Sequence, residues 1–185
     1  MDAIRSLRIL FALICLSCLF PAEAQQKATQ SGPIAVYFSP HGGATNAIIR
    51  TINNAKESIL VQAYSFTSEP IAGALVRAKK RGVLVQVILD RNQLHQKYSC
   101  VKLLATGGVS TLIDANHAIA HNKVIVLDSE TVITGSFNFT SAAEERNAEN
   151  LLMIRDKDLA VRLMGNWRVH RIHSQPYHNS KERNY

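Results

Sequence analysis

The sequence predicts an α/β fold, a mixed β-sheet flanked by helices on both faces, and three observations carry the prediction. Short β-branched apolar segments alternate along the chain with segments of helical periodicity. Most of the apolar segments are apolar at both parities, the mark of strands covered on both sides. Gly and polar residues punctuate short links, and there is no linker or low-complexity tract. With 185 residues, 46% of them hydrophobic and 19% charged, the composition is that of a single folded domain with a sizeable core, and it excludes a disordered polymer.

The first stretch is of a different kind. Arg5 and Arg8 precede the apolar run 9–20, and Ala22-Glu23-Ala24 places small residues at both recognition positions of a cleavage site. Residues 1–24 therefore read as a signal peptide and 25–185 as one domain. An uncleaved anchor is the alternative, but the run is shorter than the roughly 20 residues a span needs. The mature protein is expected in the periplasm or outside the cell, with no stable membrane association. Cleavage removes Asp2, Glu23, Arg5 and Arg8, two charges of each sign, so the net charge of +7 is kept. Such a charge attracts nucleic acid or an anionic membrane without specifying either. Cys15 and Cys18 leave with the peptide. Cys100 then stands alone, which points to a buried thiol and away from an internal disulfide.

After a polar leader, the first strand is expected at 34–38, followed by a helix over 44–55 and a strand at 58–65. A helix over 70–81 ends at Gly82 and leads to a strand at 83–89. A further helix, roughly 94–106, ends at Gly107-Gly108, as helices commonly end on glycine, and precedes a strand at 110–113. Strands at 123–127, 131–136 and 150–154 follow, then a long helix from 157 to about 173. The polar tail beyond Gln175 is expected to fray. Glu144-Glu145-Arg146 reads as a charged loop or helix face, and Lys79-Lys80-Arg81 as the basic last turn of a helix.

The segment HNKVIVLD carries the chemistry. Alternation along a strand puts His121 and Lys123 on one side and Asn122 and Asp128 on the other, pairing a potential nucleophile with a cation. In the next strand Thr134, Ser136, Asn138 and Thr140 share one parity, which makes one side polar throughout. If the two strands form a hairpin about Ser129-Glu130, Lys123 lies opposite Ser136 and His121 opposite Asn138, close enough for one ligand to touch all four. An imidazole, an ammonium, a hydroxyl and an amide are a poor set for a divalent metal and suit a phosphate, so neither metal nor cofactor is expected there. The remaining histidines, at 41, 95, 117, 170, 173 and 178, show no metal-ligand spacing and read as surface residues, with His170 and His173 along a basic helix end. His41, in a loop between strand and helix, is a candidate substrate contact.

The spacing H-x-K-x4-D, here His121, Lys123 and Asp128, followed by Gly135-Ser136-x-Asn138, resembles the signature of the phospholipase D superfamily. The likeness runs on through AYSFTSEPIAGAL, AKKRGVLVQVILD, GSFNFTSAAEERNAENLLMI and the Trp167 segment. Over nearly the whole mature chain it is similar to the small single-motif bacterial periplasmic endonucleases of that superfamily. The resemblance implies metal-independent hydrolysis of a phosphodiester, DNA first and RNA second, by a two-fold homodimer that joins two copies of the motif. It implies that His121 of one subunit forms a phosphohistidine while the other His121 protonates the leaving oxygen, with Lys123 and Asn138 holding the non-bridging oxygens and Ser136 as a further donor. Glu149 would accept from the other imidazole nitrogen, while Asp128 and Gly135 are structural members of the motif. Two alternatives stand beside this: a lipid phosphodiesterase using the same core chemistry, and a catalytically silent nucleic-acid-binding module, which would be expected to lack His121 or Lys123.

Overall fold

In the computed structural model, which describes residues 33–178, the apolar segments pair into one eight-stranded sheet in the order β1-β7-β6-β5-β2-β3-β4-β8. The strands are β1 (Ile34–Ser39), β2 (Ser58–Ala63), β3 (Leu84–Asp90), β4 (Ser110–Asp114), β5 (Lys123–Leu127), β6 (Thr131–Gly135), β7 (Glu149–Arg155) and β8 (Gln175–Pro176). The helices are α1 (Ala44–Asn54), α2 (Glu69–Lys80), α3 (Val101–Thr106), α4 (Ser141–Glu145) and α5 (Lys157–His173). Strands β2, β3 and β4 run parallel, with helices supplying the crossovers that parallel neighbours need, while β5, β6, β7 and β1 are antiparallel to their neighbours. The expected mixed sheet is therefore present. The proposed signal peptide and residues 179–185 lie outside the described residues.

Apolar residues at both parities bury both faces. Ile59, Val61, Val85, Val87, Ile125 and Ile133 pack in one cluster with Ile48, Ile52, Ile71 and Leu75 of α1 and α2. Each such side chain contributes about 1.5–3 kcal/mol on full burial. On the other face, Leu60, Ile88 and Leu112 meet Trp167 of α5, and Val126 and Val132 meet Ala160. Trp167 is buried on this face, and its Nε1 donates to the Val61 carbonyl at 3.0 Å. Ala160 and Trp167 are the fully buried residues of α5, and Leu159, Leu163 and Met164 pack half-buried beside them.

Two expectations fail for physical reasons. The helix read over 94–106 is interrupted: Asp90 caps a 3-10 turn at Arg91–Leu94 by accepting from Asn92 N at 2.8 Å, and Gln93 turns inward to accept from Phe66 N at 3.0 Å. Helix α3 begins only after Cys100, whose N–H donates to the Phe66 carbonyl. The tail does not fray at Gln175. Strand β8 pairs with β4, and Tyr177 N donates to the Thr111 carbonyl at 2.9 Å. Cys100 is buried and unpaired, and burial, helped by Glu69, pushes its thiol up to about 11.

Candidate active site

Strand register gathers the polar groups at one edge of the sheet. Lys123 pairs with Ala63, Ser39 with Glu149, and Gly135 with Leu151, so the start of β5, the start of β7 and the ends of β1, β2 and β6 meet there. The hairpin register differs from the expected one by a residue. Leu127 pairs with Thr131 and Val124 with Thr134, around a three-residue loop in which Asp128 and Ser129 have φ of 51° and 53°. Lys123 thus lies in register with Gly135 rather than Ser136. A bulge then takes up the slip: the N–H groups of Ser136 and Phe137 both donate to the Asn150 carbonyl, at 3.1 and 3.3 Å. Gly135 is required at this bend, since at φ 152° a Cβ there would meet the Asn150 oxygen at 2.3 Å.

The imidazole of His121 is exposed, whereas Lys123 beside it is only 7% exposed. The lysine Nζ donates to the His121 carbonyl at 3.0 Å and stands 3.1 Å from both ring nitrogens, so neither nitrogen is singled out as its partner. Burial pushes the Lys123 ammonium below its ordinary value, and the Glu149 carboxylate opposes that shift. Tyr64 packs against the imidazole with ring centroids 4.6 Å apart, and its backbone N–H holds the Asn122 carbonyl at 2.8 Å. Asn138 Oδ1 is buried and makes no hydrogen bond, which is costly unless a ligand or a second subunit meets it.

Glu149 is placed differently from its expected role. Its carboxylate accepts from Ser136 Oγ at 2.6 Å and Asn147 Nδ2 at 3.0 Å, and among the described residues no hydrogen bond joins it to an imidazole. The bulge lays Ser136 over β7, and Ser136 Oγ in turn accepts from Asn150 N at 3.0 Å. Both residues therefore belong to a network that faces the lysine. His41 lies two residues past Ser39, exposed, its N–H donating to the Glu144 carbonyl at 2.6 Å.

This site fits one fold family in particular. The family described as "Cardiolipin synthase, PLD-like domain" matches residues 48–167, a span that includes the HNKVIVLD segment, the bulge and Glu149. The chain belongs to the phospholipase D superfamily. A phospholipase D of Rickettsia felis is 46% identical over 134 residues, covering 72% of this chain and 67% of that protein. Among solved structures, the phospholipase D family member Nuc from Salmonella typhimurium superposes with a TM-score of 0.75 at 39% identity, over 79% of this chain and 98% of that one. NucT from Helicobacter pylori gives 0.72 at 25% identity, over 78% and 98%. As a superfamily member this protein is a phosphodiester hydrolase, and its sheet with flanking helices is the superfamily fold.

The other end of the phospholipase D motif is built for the fold. Asp128 accepts from the N–H groups of Lys56, Glu57 and Ser58 at 2.9, 2.8 and 3.0 Å, tying the β5–β6 turn to the start of β2. Burial opposes its ionisation, but those three donors and the Lys56 charge hold its carboxyl below the usual range. Tyr64 and Asn147 were not legible as site residues, since nothing in their local pattern separates them from strand-end and loop residues.

The reading of the other histidines as surface residues fails at His170 and His173, whose side chains are only 12% and 24% exposed, while His117 is a surface residue at 42% that turns to the same partner. Asp114, at the end of β4 and fully buried, is met by His117, His170 and His173. Burial raises the Asp114 carboxyl, but hydrogen bonds from His170, His117, Asn116 N and His173 bring it far below the usual range. The chain distance between β4 and α5 hid this cluster. The His170–His173 pair, one turn apart on a helix, was its one visible trace.

Proposed function

We propose that the protein is a metal-independent endonuclease that cleaves DNA, and RNA by the same chemistry, at a site shared by two copies of the chain. The observation that carries the chemistry is the exposed His121 imidazole beside a buried ammonium at 3.1 Å. A nitrogen of His121 attacks phosphorus and the bond to the leaving oxygen breaks, giving a phosphohistidine. That oxygen takes its proton from the second subunit's copy of the same histidine. Water then attacks phosphorus, the P–N bond breaks and the proton lost by water returns to the second histidine. Lys123 and Asn138 hold the non-bridging oxygens as charge grows, the Glu149 carboxylate, bound by Ser136, favours the charged lysine, and His41 borders the substrate path.

The exposed His121 supports a site completed by a ligand, and the unpartnered acceptor Asn138 Oδ1 supports one completed by a donor from a second subunit. A charge of +7 with only 6% aromatic residues supports phosphate contacts without base reading, hence little sequence preference. The similarity to Nuc over 98% of that structure supports the nuclease branch. The N-terminal apolar run supports an exported enzyme. A second reading, a lipid phosphodiesterase, is favoured by the rickettsial relative named phospholipase D.

The test is supercoiled plasmid and a phosphatidylcholine emulsion, each with and without EDTA, beside a His121→Ala control. Nicking that survives EDTA and is absent from the variant is expected; lipid turnover without nicking would overturn the reading in favour of the second. Equal mixing of wild-type and His121→Ala subunits, after exchange, should leave about one quarter of the activity if each site needs both histidines. One half would mean independent subunits.

A further inference from the structure

Four potential ligand atoms converge at the end of β4, on the same strand-end edge of the sheet as the His121 site but three strands along it. Asp114 Oδ2 lies 2.8 Å from His170 Nδ1, 3.0 Å from His117 Nδ1 and 3.3 Å from His173 Nε2, and the four donor atoms fall within 4.8 Å of one another. Three parts of the fold deliver them. Asp114 ends β4 on the face that α5 covers, His117 stands three residues on in the loop to β5, and His170 and His173 occupy the last turn of α5.

Hydrogen bonding explains the arrangement poorly. The three rings pack on one another with centroids 4.7, 5.1 and 5.4 Å apart. As imidazolium ions they would repel; as neutral rings they would crowd three N–H groups onto one carboxylate, His170 and His173 on Oδ2 and His117 Nδ1 between Oδ2 at 3.0 Å and Oδ1 at 3.2 Å. A dication takes the place of those three protons, with bare ring nitrogens and the oxygen pointing at it. Three imidazoles and a carboxylate are a borderline donor set suited to zinc. Tetrahedral bonds of about 2.0–2.1 Å put neighbouring ligand atoms about 3.3 Å apart, close to the separations seen from Oδ2. Asp114 Oδ1 is held by Asn116 N at 3.0 Å, an outer contact of the kind that orients a ligating carboxylate.

We propose that Asp114, His117, His170 and His173 bind one zinc ion, which staples the end of α5 to β4 and to the loop that delivers His121. Four protein ligands close the coordination sphere, so the ion is structural and leaves no position for a reacting water. It stands apart from the phosphate site: Asp114 on β4 and Lys123 on β5 are three strands apart in the sheet, roughly 14 Å at the usual strand spacing. The staple acts beyond Trp167, where α5 carries the exposed Val169 and Ile172. It also completes the anchoring of residues 115–122, which Asp90 already grips by accepting from Ala120 N at 2.7 Å. The proposal holds whichever ester the His121 site cleaves.

The test uses the full protein purified without a polyhistidine tag and analysed by elemental mass spectrometry. One zinc per chain is expected, and the metal-stripped protein refilled with cobalt should show the intense visible absorption of a tetrahedral site. Zinc should raise the melting temperature of the stripped wild type and leave that of a His170→Ala/His173→Ala variant unchanged. Should that variant fold poorly, His117→Ala, in an exposed loop, keeps the question open to measurement: its zinc affinity should fall at least tenfold. His121→Ala should keep one zinc per chain, which separates this result from failure of the nuclease reading. Wild-type protein with neither zinc nor a cobalt spectrum, or variants that bind as much zinc as wild type, would overturn the proposal.

Discussion

At the turn end of β5 the Asp128 carboxylate accepts three backbone N–H groups within 3.0 Å. At the other end His121 is exposed, Nζ of Lys123 straddles its two ring nitrogens, and the nearby Asn138 Oδ1 has no partner. Eight consecutive residues thus hold one polar half that the fold saturates and another that it leaves open. A saturated group can contribute only to stability; an unsaturated one is stable only because something else completes it. The superfamily motif is therefore two devices on one strand, and substitutions should separate them.

The largest effect is expected at the open end. His121→Asn keeps a side chain of similar size and polarity but removes the nucleophile, so kcat for phosphodiester cleavage should fall about a thousandfold or more. Thermal unfolding should be almost unmoved, because the imidazole is exposed. A loss of melting temperature matching that of a buried polar residue would show that His121 belongs to the saturated half after all.

The opposite behaviour is expected at Asp128. Asp128→Ala leaves three N–H groups without their acceptor and should lower the unfolding free energy by about 2–3 kcal/mol, allowing for partial solvent access. Turnover per folded molecule should be nearly that of wild type. The sign of the pH dependence follows from the lowered carboxyl: the folded state holds the ionised form, so the stabilisation is complete above the ordinary carboxylate range and is lost as pH falls through the folded value. Wild type and variant should therefore converge in urea titrations at acid pH. A stability gap that stays constant down to strongly acid conditions would mean that the charge is not what holds the turn.

Much of this division could be read from the sequence. Parity placed His121 and Lys123 together and turned Asp128 away from them, and apolar residues at both parities fixed the sheet as doubly covered. What could not be read was set by backbone geometry rather than side-chain pattern. A three-residue loop shifted the hairpin register by one, and the Ser136 bulge then delivered that hydroxyl to Glu149. Neither a bulge nor positive φ at Asp128 and Ser129 leaves a periodic signature. The interrupted helix before α3 and the Asp114 cluster were hidden for a related reason, since both depend on contacts between residues far apart in the chain.

Glu149 tests the middle ground, a carboxylate whose hydrogen bonds are made within the open half. Burial lowers the Lys123 ammonium and Glu149 opposes it. Glu149→Gln keeps an acceptor for Ser136 but removes the opposing charge, so Lys123 should lose its proton at lower pH than in wild type. The alkaline limb of the kcat profile should move toward neutrality. At neutral pH the loss should be roughly tenfold, below the factor of about 100 at which direct proton transfer begins. A profile that moves toward higher pH would break the assigned electrostatics.

The smallest effect is expected at Glu144, whose two carboxylate oxygens accept from Gly43 N at 2.8 Å and Thr45 N at 2.7 Å, closing the first turn of α1. It lies near the open half in space, since His41 N donates to its carbonyl, yet its side chain is saturated like that of Asp128. Glu144→Gln retains one good acceptor and loses the charge that favours a helix N-terminus, which should lower stability by about 0.5–1 kcal/mol. If saturation rather than position decides what a polar residue does, cleavage rates should stay within a factor of about two of wild type. A tenfold loss of turnover with unchanged melting would show that the α1 terminus and His41 are part of the substrate path, and that the open half extends beyond β5 and its neighbours.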